Sequence, residues 1–330
     1  MKALVYRGPG RIRLEELPRP VAGPGEVIVR VAAVGICGSD MHAYHGHDER
    51  RPPPLILGHE AAGWIADGPR KGERVTINPL VTCGICPMCR DGRSHLCADR
   101  QIISMPPREG AFAEFVRIPE TNLHSIPERM TFRIAALAEP LAVSWHAVRA
   151  GIAHLHEALP AARCCVLGGG AIGVGAALSL HCFGARRIDL AEPHPARRLA
   201  ASSLPVTPYA PGGDAEPEAG SVDLIIDAVG ASTTREAACR LVKPGGVVVH
   251  IGLLPGQGGL DIRRITLQEI TFRGTYCYTD SDFREVVAML EIGAFGPLDW
   301  VADMSLEEGA KAFAALEKAE IAAAKIVLLP

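Results

Sequence analysis

The sequence predicts an α/β protein in which a doubly wound parallel sheet is joined to a smaller, mainly β lobe. Two observations carry this. From Cys164 onward, apolar strand-length runs alternate with helical patterns: CCVLGGGAIGVG, then RIDLA (Arg187 to Ala191), VDLIIDAV (Val222 to Val229), VVVHIGL (Val247 to Leu253) and a last run at Ile270 to Tyr276. Strands separated by helices pair in parallel. The first 140 residues instead show short alternating strands (Glu26 to Val34, Glu73 to Ile77, Phe112 to Ile118) between Gly and Pro clusters, the pattern of a barrel-like lobe.

The N-terminus, MKALVYRGPGRIRLEELPRP, reads as strand, Gly-Pro turn and strand, without the apolar core and small-residue cleavage site of a signal peptide. Cys164 to Ala185 has the length of a membrane span, but its triple glycine divides it into strand, turn and helix, so no membrane segment is expected. A length of 330 residues suggests two domains. A net charge of −3 with no basic tail argues against nucleic acid as a partner. Four of the ten cysteines cluster, and six (Cys37, Cys164, Cys165, Cys182, Cys239, Cys277) are scattered, mostly in core-like surroundings. Without an export signal, such clustering points to metal binding in a reducing compartment, and a cytoplasmic protein is expected.

In the parallel-sheet half, an apolar strand runs into Gly168-x-Gly170-x-x-Gly173 and then into a helix opened by Ala171 and Ile172. This is the Rossmann dinucleotide fingerprint in its required setting. The first glycine allows the turn, the second lets a pyrophosphate approach the backbone, and the third lets helix and strand pack closely. The helix N-terminus faces the phosphates with unpaired N–H groups. Glu192, twenty-four residues after Gly168, ends the next strand, where a carboxylate accepts the ribose hydroxyls and repels a 2′-phosphate. NAD is therefore favoured over NADP, although Arg197 and Arg198 follow closely. Gly230, Ile251 and Gly252, at the ends of later strands, are further candidate cofactor contacts. The alternative is a glycine-rich turn in a plain α/β domain.

In the β-rich half, VTCGICPMCRDGRSHLC places Cys83, Cys86, Cys89 and Cys97 at spacing C-x2-C-x2-C-x7-C. Gly84 and Pro87 suggest an irregular loop. Four thiolates fill every tetrahedral corner of a zinc ion, so such a site is structural. Two local disulfides or four spare thiols are the alternatives. A second set is looser: Cys37 lies twenty-two residues before His59, which is followed directly by Glu60, and Glu139 comes later. A thiolate, an imidazole and carboxylates can hold zinc with one corner open for substrate. Spacing alone does not separate this from a core histidine, nor the histidines of HAYHGH (His42, His45, His47) from a solvated loop.

Together, GEVIVRVAAVGICGSDMH, LGHEAAG, the four-cysteine lobe, AEPLAV, GGGAIG and KPGG, in that order, resemble the zinc-dependent medium-chain dehydrogenases, the alcohol and polyol dehydrogenase superfamily. The resemblance covers nearly the whole chain. It implies a GroES-like catalytic domain of residues 1–141 and 281–330 and a Rossmann domain of residues 142–280. The C-terminal stretch, read as helices FREVVAMLEIG and LEEGAKAFAALEKAE and a last strand AKIVLL, returns to the first domain, with the cofactor in the cleft between the two. By resemblance, Cys37 and His59 ligate the catalytic zinc, with Glu60 and Glu139 binding directly or through water. Asp40 orients His59, Ser39 takes the substrate proton and His42 hands it on. Cys83, Cys86, Cys89 and Cys97 hold the structural zinc.

Glu139, where classical alcohol dehydrogenases place a cysteine, resembles the sorbitol and threonine dehydrogenase branch. The Arg-Tyr pair usual in sorbitol dehydrogenases is replaced by Cys277-Tyr278, and the segment Ile65 to Arg74 is short for the family. The expected activity is zinc-dependent, NAD-linked, reversible oxidation of a secondary alcohol or polyol by a homodimer or homotetramer. The rival readings are a primary alcohol dehydrogenase, a zinc-free quinone or enoyl reductase on the same fold, and an NAD-binding protein without activity.

Overall fold

In the computed structural model, which describes residues 1–318 and 320–330, the N-terminal segment is an antiparallel hairpin of β1 (Lys2–Gly8) and β2 (Arg11–Glu16) turned at Pro9 and Gly10. The long strand β3 (Glu26–Gly35) leads into helix α1 (Gly38–Tyr44), and the short β4 (Leu55–Ile56) pairs with β1. β5 (Glu60–Ile65) and β6 (Arg74–Ile77) continue the main sheet, and β7 (Leu80–Val81) opens an excursion that closes with β8 (Gln101–Ile102). Within that excursion the expected irregular loop contains a single helical turn, α2 (Pro87–Arg90). Pro87 starts this helix at a position where its missing N–H and fixed φ suit a first turn.

β9 (Phe115–Pro119), β10 (Leu123–Ser125) and α3 (Phe132–Ala136) follow, then α4 (Ala138–Ile152). β9 starts three residues later than Phe112, whose ring is fully buried.

The chain next forms a six-stranded parallel sheet in the order β13-β12-β11-β14-β15-β16. Its elements are β11 (Arg163–Leu167), α5 (Ala171–Cys182), β12 (Arg187–Ala191), α6 (Pro195–Ala200), β13 (Thr207–Tyr209), β14 (Val222–Asp227), α7 (Ser232–Leu241), β15 (Val242–His250), α8 (Ile262–Leu267) and β16 (Thr271–Gly274). Alternate residues feed opposite cores: Val166, Leu224, Ile226 and Val249 one way, Cys165, Leu167, Ile225 and Val248 the other. β14 stops at Asp227 because its carboxylate turns to accept the Val229 and Gly230 N–H groups. β15 starts earlier than Val247, running through Lys243-Pro-Gly-Gly with a register shift. Cys164 to Ala185 is strand, turn and the twelve-residue α5, and among the described residues no helix is long and apolar enough to cross a membrane.

The remaining segment is α9 (Asp280–Glu291), β17 (Val301–Ser305), α10 (Gly309–Glu317) and β18 (Lys325–Leu329). Of the expected helix LEEGAKAFAALEKAE, Leu306 to Glu308 is a 3-10 turn and Ala319 lies outside the described residues. α9 begins with a reciprocal cap between Thr279 and Asp282. β18 pairs antiparallel with β3 and parallel with β17, completing the order β10-β6-β5-β3-β18-β17, with β9 also on β3. The fold is thus the expected α/β combination. By contacts it divides into two compact units, Met1–Pro140 with Thr279–Pro330, and Leu141–Tyr278.

In the first unit, Phe112 meets Phe313 of α10 edge-to-face at 5.9 Å, within a core that includes Leu4, Tyr6 and Ile326. Phe112→Ala is expected to cost about 3–5 kcal/mol, seen as a lowered urea midpoint. The short loop between β5 and β6 is held by Glu73, which accepts from Arg70 at 2.6 and 2.8 Å and from the Ser125 hydroxyl. The Arg70 and Ser125 hydrogen bonds hold its carboxyl down to about 2. A lowered folded-state pKa adds stability above the unfolded value and loses it as pH falls through the folded one. The stability gap between parent and Glu73→Gln should therefore close as pH drops from about 4.5 to about 2, read by thermal unfolding across that window.

Candidate active site

Three groups of residues predicted from the sequence are each brought together. The first forms where β3 ends and α1 begins. Asp40 reaches back from the first turn of α1, accepting from Cys37 N at 2.9 Å and Gly58 N at 3.3 Å. Its Oδ1 lies 3.5 Å from His59 Nδ1, and the Ser104 hydroxyl lies 3.3 Å from the same nitrogen. With Nδ1 so engaged, Nε2 is the atom left for a ligand. Cys37 Sγ, a His59 ring nitrogen and a Glu60 carboxylate oxygen all lie within 4.8 Å of one another. Gly35 makes room for this, since a Cβ there would stand 2.0 Å from Glu60 Oε2. Burial disfavours charge on His59, but Asp40 and then Cys37 outweigh it and hold its pKa well above the usual value. Asp40 is correspondingly lowered: burial opposes its charge, and His59, Arg51 and the Cys37 amide overcome that.

Lys325 of β18 closes the site from the other side. Its ammonium donates to Glu60 Oε1 at 2.6 Å, Oε2 at 2.8 Å and Ile36 O at 2.9 Å. Burial lowers the lysine, but Glu60, with Cys37 and Glu139 behind it, raises it above its usual range. Glu139 is buried at the start of α4 and stands outside the Cys37–His59–Glu60 group, its charge reaching Lys325 through space. Ser39 and His42 share one face of α1 at i, i+3. Burial lowers the His42 pKa, with Asp48 opposing.

The second group is Cys83, Cys86, Cys89 and Cys97, whose sulfurs also lie within 4.8 Å of one another. The Sγ–Sγ distances of 3.5 Å (Cys86–Cys89), 3.5 Å (Cys83–Cys97) and 3.9 Å (Cys83–Cys89) are far beyond a disulfide bond, and all ten cysteines are free. A tetrahedral ion with Zn–S bonds of about 2.3 Å sets edges of about 3.8 Å. The cluster fits zinc. Amide donors at Ile85 and Cys86 hold the Cys83 thiol down to about 7.

The third group lies wholly in the second unit. Gly168 has φ of 102°, and a Cβ on Gly173 would stand 1.7 Å from Gly168 O, so both positions require glycine. A Cβ on Gly170 would meet nothing within 4 Å, leaving the loop open to a ligand, and Ala171 and Ile172 begin α5 behind it. Glu192 is buried beside the loop, Oε2 accepting from Gly169 N at 3.0 Å and Oε1 from His194 N at 2.8 Å. Arg198 donates to Glu192 O at 2.8 Å, and the buried Nε of Arg197 has no partner among the described residues. Gly230 and Gly252 meet backbone to backbone beside Ile251, braced by Asp227.

Residues 23–128 match the alcohol dehydrogenase GroES-like domain family and residues 171–291 the zinc-binding dehydrogenase family. The chain is 33% identical to sorbitol dehydrogenase of Bacillus subtilis over 85% of its own length and 83% of the relative's. The chain belongs to the zinc-dependent medium-chain dehydrogenase superfamily. It is also 32% identical to L-galactonate-5-dehydrogenase of Escherichia coli K12, covering 89% of this dehydrogenase and 88% of that one. The crystal structure of 2R,3R-butanediol dehydrogenase from Bacillus subtilis superposes with a TM-score of 0.87 at 25% identity over 100% and 99% of the two chains. The NADP-bound zinc-binding dehydrogenase of Sinorhizobium meliloti 1021 gives 0.88 at 28% identity, over 100% and 99%.

Three residues around these sites in the dehydrogenase carry no local signal in the sequence: Arg51, Ser104 and Lys325. Each acts across a separation that no spacing rule marks. In this dehydrogenase, Cys86→Ser is expected to remove one of two zinc ions per chain and lower the unfolding temperature. Elemental analysis beside a thermal melt checks both.

Proposed function

We propose that this chain catalyses the reversible oxidation of a secondary alcohol or polyol to the ketone, with NAD as the hydride acceptor. The observation that carries this is the Cys37–His59–Glu60 donor set, its thiol half-buried and its imidazole and carboxylate buried, beside Ser39 and His42 on one short helix. A thiolate, an imidazole and a carboxylate are a donor set zinc accepts, and three protein ligands leave a corner for substrate. Cys37, His59 and Glu60 would hold that ion, and Glu139 would act through water. When bound, zinc supplies the Lewis acidity that makes an alcohol hydroxyl a stronger acid, and nicotinamide supplies the acceptor for hydride.

The chain's own residues do the rest. Asp40 and Ser104 fix the imidazole of His59 so that Nε2 is presented. Ser39 accepts the hydroxyl proton of the substrate, and His42, kept largely neutral by burial, takes it onward to solvent. In the second unit the Gly168–Gly173 loop and the start of α5 cradle the pyrophosphate, with Gly230, Ile251 and Gly252 lining the cofactor's path. Glu192 receives the ribose hydroxyls, which favours NAD; Arg197 is the residue through which NADP would bind. Cys83, Cys86, Cys89 and Cys97 hold a second zinc that braces its lobe and takes no part in turnover. The named relatives act on sorbitol, galactonate and butanediol, which supports a substrate with a secondary hydroxyl. A homodimer or homotetramer in the reducing cytoplasm completes the reading.

NADH absorbance is to be followed over a panel of secondary alcohols, polyols, sugar phosphates and threonine, with NAD and with NADP. Turnover with at least one secondary alcohol, faster with NAD, is expected. Cys37→Ser should abolish that turnover and leave NAD affinity within about twofold, since Cys37 supplies only a metal ligand. Undiminished turnover in Cys37→Ser would refute the assignment.

A further inference from the structure

We propose that Arg51 is a positioning residue for the Ser39 hydroxyl, fixing its oxygen as proton acceptor in alcohol oxidation. The proposal rests on the role given to Ser39 above. Arg51 lies between α1 and β4 and is only 3% exposed. Its guanidinium offers five N–H donors in a rigid fork. Nε donates to Ser104 O at 3.1 Å and Nη1 to Asp48 Oδ2 at 2.5 Å. Nη1 also points at Ser39 O at 3.4 Å, and Nη2 at Ser39 Oγ at 3.5 Å.

A buried arginine needs one counter-charge, and Asp48 provides it. The other donors are directed at two residues beside the metal-binding group: Ser39, two positions after Cys37, and Ser104, whose hydroxyl orients His59. A serine oxygen has two lone pairs and one proton. With Nη2 on one lone pair, the other is left for the substrate hydroxyl, and the serine proton is directed onward. Without that contact the hydroxyl turns among its staggered wells and can donate to the substrate oxygen, the wrong direction for oxidation. In the step, the alcohol proton passes to Ser39 Oγ as the serine proton leaves. The carbon-bound hydrogen passes with its electron pair to NAD, giving one ketone, one NADH and one released proton.

The test uses the full chain as Arg51→Lys and Arg51→Met, each alone and with Ser39→Ala. The measurements are zinc content, thermal unfolding, kcat, KM for NAD and the solvent deuterium isotope effect on kcat. Expected are unchanged zinc and KM, kcat lowered about tenfold in Arg51→Lys and further in Arg51→Met, and a larger isotope effect. No added loss is expected where Ser39 is already alanine, as for two residues acting as a unit. Equal fold-losses in both backgrounds, an unchanged kcat, or loss of zinc or of folding in both Arg51 variants would overturn the proposal and make Arg51 a structural pin. A parent chain that reduces NAD with no alcohol refutes the reading of Ser39 and the proposal with it, whereas an active parent with additive variants refutes the proposal alone.

Discussion

A lysine from the last strand lies on both oxygens of a glutamate at the start of β5, at 2.6 and 2.8 Å, with side chains 2% and 0% exposed. Taking either ion alone out of water costs several kcal/mol, and removing one partner of such a pair costs about 3–5 kcal/mol. The Lys325–Glu60 pair is tolerable because it is complete, with Ile36 O taking a further lysine proton. The first unit is therefore built around its own discontinuity. β5 sets Glu60 opposite Gly35 of β3, and β18, paired with the same strand, brings Lys325 against it, so the C-terminal segment supplies the counter-charge of the site.

The same bookkeeping of buried charge explains the rest of the cluster. Asp40, His59, Glu60 and Lys325 are all nearly inaccessible, and each cation faces a carboxylate. Without an ion, burial disfavours charge on the imidazole, but Asp40 and then Cys37 outweigh it and favour the protonated form. A divalent cation between Cys37, His59 and Glu60 replaces that proton as the compensating charge. The donor set thus has charge to be neutralised whether or not metal is bound, which is what a preformed site requires.

Much of this was legible in the sequence because the chemistry is local. The four-cysteine spacing, the Gly168–Gly173 loop and the strand that precedes Glu192 each lie within a stretch where periodicity and turn chemistry apply, and RIDLA is a strand over its whole length. Cys37 and His59 were weaker as spacing and gained meaning from their order among other motifs. What was missed is non-local. Lys325 reaches Glu60 across 265 residues and Ser104 reaches His59 across 45. Arg51 lies in RRPPP, a stretch with no periodicity to mark a buried position, yet its side chain is inside. Element ends moved for physical reasons: β14 was cut short by the Asp227 cap, and Pro87 began a helical turn where it had been expected to prevent one.

The central claim is that the Cys37–His59–Glu60 group is a zinc site with an open position. Diffraction from crystals of the purified protein on either side of the zinc absorption edge tests it most directly. The account predicts two anomalous peaks per chain, one among the four sulfurs and one within bonding distance of Cys37 Sγ, His59 Nε2 and a carboxylate oxygen. Density at the four-cysteine lobe alone, in protein that turns over alcohol, would contradict it.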